Sequence, residues 1–222
     1  MHPILFQLGP IKFYSYGLML ALAFITATYL AKEEAQRQGI AADKIVDLSL
    51  GLAICGVLGA RLLYILQNLK FYLASPLEII KLNQGGLSFY GGLFAASIFA
   101  VIFLKQKQLP WLGTLNLLSP YLALGQAIGR IGCFLNGCCY GIAGVPVQLY
   151  SALGLLLIFI ILRLRMSFLL YCLLYSLFRF LIEFLRADNL RIWANLTLHQ
   201  LISLGIFIIA LVIWLRRCKN SD

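Results

Sequence analysis

Seven long apolar stretches separated by short polar linkers limit what this chain can fold into. Hydrophobic residues make up 62% of the 222 residues, charged residues only 12%, and the mean hydropathy is +0.91. A soluble domain carries about 25% charged residues, whereas a helix needs about 17–25 mostly apolar residues to cross a bilayer. The pattern predicts an all-α polytopic integral membrane protein with a single transmembrane domain over residues 1–222. The predicted spans are approximately Tyr16–Leu30, Ile45–Leu66, Gly91–Leu104, Trp111–Gly129, Gln148–Leu164, Ser167–Leu185 and Leu198–Leu215.

The basic residues of the linkers are divided unequally between the two sides of the predicted bundle. Because Lys and Arg are enriched at cytoplasmic ends, we predict that the N-terminus lies outside and the C-terminus in the cytoplasm. The N-terminus lacks the basic opening region and cleavage site of a signal peptide, so the first span is expected to remain. The net charge of +10 comes from basic residues that are sorted between the two sides of the membrane, so no nucleic-acid partner is expected. Ten basic residues fall on the cytoplasmic side (Lys32, Arg37, Lys44, Lys105, Lys107, Arg163, Arg165, Arg216, Arg217, Lys219) and five on the outer side (Lys12, Lys70, Lys81, Arg186, Arg191).

Polar residues within or beside the spans gather on the outer side of this topology. A guanidinium presents a planar donor fork that matches phosphate, and glycine-rich backbone can turn its amides toward an anion. Non-helical backbone at membrane depth is tolerated only where protein buries it or where it lines a cavity. The sequence therefore predicts a pocket for an anionic lipid headgroup in the outer leaflet. Its candidate residues are Tyr16, Arg61, the loop Gly85–Gly92, Arg130, Asn136, Gly141, Gln148, Tyr150, Arg179, Glu183, His199 and Gln200.

Arg179 and Glu183 are four residues apart on the predicted sixth span, and Arg186 follows three residues later. Side chains at this spacing lie on one face of a helix. One interpretation is a salt bridge that only neutralises two charges in lipid. The other is that Glu183 orients an arginine that binds phosphate, and the two interpretations are compatible.

Three of the six cysteines are clustered, at Cys133, Cys138 and Cys139. Their spacing is not a usual structural-zinc pattern and no nearby histidine completes it, so no metal and no cofactor are expected. A disulfide on the outer face stays possible, and packing of small side chains against a helix end is favoured. Cys55 and Cys172 fall within spans and are interpreted as core residues, whereas Cys218 is expected to be cytoplasmic and reduced.

Six segments resemble, in chain order, motifs of the prolipoprotein diacylglyceryl transferase family. Gly129–Gly141 is similar to the family signature Gly-Arg-x-Gly-Asn-Phe-x-Asn-Gly-Glu-x-x-Gly, and six matches in the same order make a chance resemblance very unlikely. The resemblance covers most of the chain and implies seven spans with the N-terminus outside. The other five segments are Tyr14–Met19, Gly59–Tyr64, Gly85–Gly92, Pro146–Tyr150 and Phe178–Arg186.

The resemblance implies an enzyme of the bacterial cytoplasmic membrane with its active site facing the outer leaflet. It would move the diacylglyceryl group of phosphatidylglycerol onto the lipobox cysteine of a preprolipoprotein signal peptide, with release of glycerol-1-phosphate. Arg130 and Arg179 would hold the phosphate, and Tyr16 would bind the headgroup or position a reactant. Arg61 would be a further phosphate ligand, Asn136 and Gly141 would shape the signature loop, Gln148 would contact substrate, and Glu183 would brace Arg179.

Four of the departures from the family pattern are serious. Tyr90 stands in place of the loop histidine, Cys133 and Cys138 replace the signature asparagine and glutamate, and Ser151 replaces a glutamate. An ordinary tyrosine, with a pKa of about 10, is a poor general base, although a substrate thiol needs less activation than a hydroxyl. We therefore keep Tyr90 as a catalytic candidate. Two alternatives stay open, namely a divergent paralogue with another acceptor and a non-enzymatic lipid-binding or transport protein.

Overall fold

The computed structural model describes residues 4–8, 11–79, 85–187, 191–193 and 196–219. Lys81, which was assigned to the outer side, lies outside these ranges. Helices dominate the described chain, and they are α1 (Ser15–Arg37), α2 (Ala42–Gln67), α3 (Leu69–Ala74), α4 (Phe89–Gln106), α5 (Trp111–Asn136), α6 (Val147–Leu164), α7 (Phe168–Ile182) and α8 (Leu198–Lys219).

Six helical segments in the described ranges are long and apolar enough to cross a membrane. They correspond to α1, α2, α4, α6, α8 and the segment Phe168–Leu185, which includes α7. Leu20, Ile54 and Ile209 on these helices are 52%, 59% and 64% uncovered by protein, a pattern that suits hydrocarbon rather than water. The prediction of an all-α polytopic membrane protein is confirmed.

Helix α5 corresponds to the predicted fourth span but is not among those six. It is 26 residues long, so its length is sufficient, but it contains several glycines and polar residues and Pro120. Several of its polar side chains, Thr114 and Ser119 among them, are buried within protein and not exposed on the helix surface. The count of seven spans and the positions of the two termini stay predictions.

Two short antiparallel hairpins were not anticipated from the sequence. Strand β1 (Ile4–Leu8) pairs with β2 (Ile11–Tyr14), and β3 (Arg191–Trp193) pairs with β4 (Leu196–Thr197). Each hairpin leads directly into a helix, α1 or α8. Segments of two to five residues are too short to produce a hydropathy signal, and they do not change the fold class.

The chain divides into two compact units, and the prediction of one transmembrane domain stays a prediction. One unit spans Ala35–Trp111, and in it α2 packs against α4 through glycines. A Cβ at Gly59 would meet the side chain of Ala95 and, at 2.6 Å, the carbonyl oxygen of Gly91. Small residues let membrane helices approach this closely, so backbone contact contributes to the pairing.

The other unit contains Met1–Glu34 and Leu112–Asp222. Within it, α5 passes close to α1 where Gly132 faces Met19, and α7 packs against both α6 and α8. A buried apolar cluster joins Ala123, Ile158 and Tyr171, which come from α5, α6 and α7. These contacts fix α5 relative to α1 and α7, and the C-terminal end of α5 carries the first part of the signature segment.

A polar network lies at the opposite end of the same unit. Arg163 Nη1 is 2.9 Å from Glu34 Oε2 and donates a hydrogen bond of 2.6 Å to the Tyr121 hydroxyl. Glu34 is near the end of α1 and Arg163 is near the end of α6, so these two helix ends lie on the same side. The predicted topology places both on the cytoplasmic side.

Candidate functional site

The C-terminal turn of α5 reverses the chain within the signature segment. Gly137 has φ +77°, a conformation that glycine adopts without steric cost. Its N–H donates to the carbonyl of Phe134 at 3.2 Å, and the N–H of Cys138 donates to the carbonyl of Cys133 at 3.2 Å. This pair of bonds is a Schellman motif, which folds the residues after Asn136 back over the last turn of the helix.

Gln148 and Gly141 hold the loop that follows this turn. The Gln148 side chain is buried, and its Nε2 donates to the Cys138 carbonyl at 2.7 Å. Gly141 forms an antiparallel bridge with Arg186, and a Cβ at Gly141 would lie 2.6 Å from the Val145 oxygen and 2.8 Å from the Leu185 oxygen. Any side chain would therefore force this loop away from the end of α7.

Glu183 is the centre of a buried charged cluster just after α7. Its Oε2 lies 2.6 Å from Arg179 Nη1 and 3.9 Å from Arg186 Nε. The Glu183 residue is 2% exposed and Arg179 is 8% exposed, so the ion pair is largely shielded from solvent and lipid. Thr197 Oγ1 donates a hydrogen bond of 3.0 Å to the other carboxylate oxygen. The carboxylate is thus held from two elements.

Arg130 and Tyr16 belong to the same unit as this cluster. Arg130 is half-buried in the last two turns of α5, where its charge acts on Tyr16, Cys133 and Arg179. A Cβ at Gly132 would lie 3.5 Å from the Tyr16 ring, so that ring packs beside the signature helix. The structure therefore brings together Tyr16, Arg130, Asn136, Gly141, Gln148, Arg179 and Glu183 within one unit.

The three clustered cysteines are free thiols whose sulfur atoms lie within 4.8 Å of one another. Cys139 has φ +59°, which is unusual for a residue with a side chain. The pKa of Cys139 is lowered to about 5, mainly by a hydrogen bond from the Cys133 thiol and also by the charges of Arg186 and Arg130, against the opposing effect of burial. Cationic surroundings of this kind favour the thiolate.

Arg61 and Tyr90 lie in the other unit. Arg61 is buried, and its guanidinium donates to the carbonyls of Glu78 at 2.6 Å, Ile79 at 3.1 Å, Gly85 at 2.8 Å and Gly86 at 3.1 Å. It also stacks over the Tyr72 ring, at 5.4 Å. These contacts make Arg61 the anchor of the glycine-rich loop, and a direct phosphate contact by Arg61 stays a prediction.

Tyr90 lies in the first turn of α4, directly after that loop. The loop is tied to α2 by a hydrogen bond of 2.9 Å from the Ser88 N–H to the Ala60 carbonyl. Tyr90 is 45% exposed, and its ring packs edge-on against Phe89 at 5.8 Å. The side chain is therefore accessible to a ligand, and its catalytic role stays a prediction.

The model of one family matches residues 3–216, and that family is described as prolipoprotein diacylglyceryl transferase. The chain belongs to this family. Among its relatives, the phosphatidylglycerol–prolipoprotein diacylglyceryl transferase of Clostridium tetani is 34% identical over 96% of this chain and 97% of its own length. The proteins of the same name from Lactobacillus acidophilus and Geobacter sulfurreducens are each 32% identical, covering 98% and 94% of this chain and 90% and 92% of their own lengths. The resemblance inferred from the six motifs is confirmed.

Thr197 was not among the candidate residues predicted from the sequence of this diacylglyceryl transferase family member, although it donates a hydrogen bond to the Glu183 carboxylate. It caps α8, because the Gln200 N–H donates to Thr197 Oγ1 at 3.3 Å and the Thr197 N–H donates to Gln200 Oε1 at 2.9 Å. The Thr-x-x-Gln spacing of this capping box is readable in the sequence. The hydrogen bond from Thr197 to Glu183 cannot be read from the sequence, because it joins residues that are 14 apart along the chain.

Proposed function

We propose that this family member transfers the diacylglyceryl group of phosphatidylglycerol to the lipobox cysteine of a preprolipoprotein signal peptide. The observation that carries the proposal is the buried Arg179–Glu183 pair at the end of α7, on which the charge of Arg130 acts from the end of the signature helix. Family membership supports the reaction, because relatives that match nearly the whole chain carry the name of this transferase. Two arginines in a largely shielded site suit a phosphodiester headgroup.

Transfer increases the negative charge on the phosphate. The acceptor cysteine reacts as a thiolate after its proton has passed to a base or to solvent. Its sulfur attacks the glycerol carbon, a carbon–sulfur bond forms and the carbon–oxygen bond to phosphate breaks. Glycerol-1-phosphate leaves with one more negative charge than the diester carried. Cations positioned on the phosphate before the reaction therefore bind the transition state more strongly than the substrate, which lowers the barrier.

Glu183 has a positioning role in this proposal. A guanidinium that is free to move would have to be ordered during the reaction, whereas Arg179 is already fixed through its Nη1. The carboxylate is in turn fixed by Thr197, so the arginine enters the reaction preorganised. Gln148 and Gly141 hold the loop beside it, and Asn136 ends the signature helix before that loop. Tyr16 is the candidate group of this unit that contacts the reactants.

The proposed location is the bacterial cytoplasmic membrane, with the site facing the outer leaflet. The positive-inside distribution of Lys and Arg supports this orientation, since it places the signature segment on the side opposite the basic linkers. Phosphatidylglycerol would enter from the bilayer, and the signal peptide would present its cysteine at the same depth.

The test uses purified protein, phosphatidylglycerol and a synthetic lipobox peptide with one cysteine. Mass spectrometry should detect a diacylglyceryl thioether on the peptide, and Arg130→Ala should reduce its formation by roughly 100-fold or more, as loss of one charge-stabilising donor does elsewhere. Arg165→Ala is the matched control, because this exposed arginine follows α6 on the predicted cytoplasmic side. Folded wild-type protein that binds phosphatidylglycerol without forming the adduct would contradict the proposal and favour a lipid-binding protein or another acceptor.

A further inference from the structure

Three thiols converge at the end of α5. Cys133 lies in the last turn of the helix, and the Schellman turn carries Cys138 and Cys139 back over it. The cysteine spacing in the sequence did not suggest a metal site, because the spacing alone does not show this reversal. All three sulfur atoms come within 4.8 Å of one another, and each residue is partly buried.

The separation of the sulfurs is close to what a single metal ion requires. Thiolate sulfurs bind Zn²⁺ at about 2.3 Å, so two sulfurs on one tetrahedral ion lie about 3.8 Å apart. The present cluster needs a contraction of at most about 1 Å to reach that spacing. Cys138 and Cys139 lie in a loop after the helix end, where side chains adjust at little cost.

The charges around the three cysteines favour the metal-bound form of the cluster. Three thiolates and one divalent cation carry a single net negative charge. The positive charges of Arg130 and Arg186 act on Cys139, so they stabilise that net charge. Soft sulfur ligands select ions such as Zn²⁺ and Cd²⁺ over Mg²⁺ or Ca²⁺.

We propose that Cys133, Cys138 and Cys139 bind one soft divalent cation of the zinc class, with the fourth coordination position open to water or a small ligand. A disulfide explains the arrangement less well. A disulfide would join two of the sulfurs and would not account for the position of the third. Three protein ligands with an open position is also the pattern of reactive zinc sites rather than of closed structural ones.

The test measures metal binding by the full-length protein, independently of transfer activity. Protein purified in detergent without oxygen is reduced, stripped with a chelator and titrated with Zn²⁺ or Cd²⁺. Elemental analysis after desalting should give one ion per chain, and Cys133→Ser, Cys138→Ser and Cys139→Ser should each weaken binding by at least the roughly 10–100-fold that loss of an outer hydrogen-bond partner costs a metal site. Cys55→Ser and Cys172→Ser should bind as the wild type does, because these cysteines lie on α2 and α7 away from the end of α5.

A second measurement needs no variant and so does not depend on variants that fold. Co²⁺ added to the reduced wild-type protein should give intense thiolate-to-cobalt charge-transfer absorption, which Zn²⁺ then displaces. The proposal is overturned if the reduced wild type gives no such absorption with Co²⁺, or if it binds no more metal than the triple serine variant. It is also overturned if the isolated protein carries a Cys133–Cys139 disulfide and retains no metal after reduction, which would identify a redox pair.

Discussion

At the residue scale, Glu183 is the group on which the proposed phosphate site depends most. Glu183→Gln preserves its shape but leaves the buried Arg179 without its counter-ion, and breaking such a pair costs about 3–5 kcal/mol. If about 3 kcal/mol of this falls on the transition state, kcat/KM for transfer should drop by roughly 100-fold. A steady-state assay with phosphatidylglycerol and a lipobox peptide measures the change.

Thr197→Val is expected to weaken the same site less than Glu183→Gln does. It removes one neutral donor to the carboxylate and leaves the charge, so we expect a loss of only about 1–1.5 kcal/mol, or roughly a fivefold to tenfold slower transfer. A lower melting temperature of Glu183→Gln with unchanged kcat/KM would show that the ion pair only neutralises charge. That result would leave Arg179 without a positioning partner.

Gly141 is the second residue whose identity the packing dictates. Gly141→Ala would place a Cβ against two carbonyl oxygens, so the loop must move and the bridge to Arg186 must break. Overpacking of this kind costs about 1–3 kcal/mol, which thermal unfolding in detergent should register together with loss of transfer. Gly205→Ala in α8 is the matched change, because nothing lies within 4 Å of its Cβ position, and it should leave both measurements near wild type.

At the element scale, the pairing of α2 with α4 depends on glycine at the contact. Gly59→Ala should destabilise that helix pair by about 1–3 kcal/mol, because its new methyl group meets Ala95 and the Gly91 carbonyl. Gly56→Ala, three residues earlier on the same helix, meets nothing within 4 Å and should be neutral or slightly stabilising. Thermal or detergent-denaturant unfolding of the two variants separates the effects. Equal stability of the two would contradict backbone contact as the basis of the pairing.

The helices themselves were predictable from hydropathy, but their ends were not. The predicted fifth span, Gln148–Leu164, agrees with α6 to one residue, because apolar residues run through almost the whole of that helix. The predicted span Tyr16–Leu30 is shorter than α1, which continues through polar residues to Arg37. The predicted Trp111–Gly129 likewise ends before Asn136, because the hydrogen-bonded turn that ends α5 is a backbone feature with no hydropathy signal.

The candidate site divides in the same way. The sequence placed Arg179 and Glu183 together, because their spacing of four residues is a local property of a helix, and the ion pair confirms that interpretation. Contacts between distant segments, such as Thr197 with Glu183 or Arg61 with the carbonyls of its loop, could not be read from a single chain. The approach of the three cysteine sulfurs could not be read from the sequence either, because it depends on the turn at Gly137.

At the scale of the whole molecule, α5 decides on which sides of the membrane the two termini lie. Six crossings would leave both termini on one side, whereas a seventh crossing by α5 puts them on opposite sides. Its polar side chains do not argue against crossing, since Thr114, Ser119 and Tyr121 are covered by protein and do not have to be solvated by lipid. The Glu34–Arg163 contact requires the end of α1 and the end of α6 to lie on the same side of the membrane. Seven alternating spans meet this requirement, because α1 and α6 are then the first and fifth spans and run in the same direction.

We therefore expect an epitope at the N-terminus to be accessible from outside and one at the C-terminus to be accessible only from the cytoplasm. Intact spheroplasts treated with a protease that cannot cross the membrane should lose the first epitope and keep the second. Permeabilised spheroplasts provide the control, because there the protease should remove both. Protection of both epitopes, or loss of both, in intact cells would mean an even number of crossings. In that case α5 does not span the membrane, but Arg130 and Arg179 still lie on one side, because the two crossings by α6 and α7 separate them. Loss of both epitopes would place that side in the cytoplasm, and the outer placement of both arginines would be wrong.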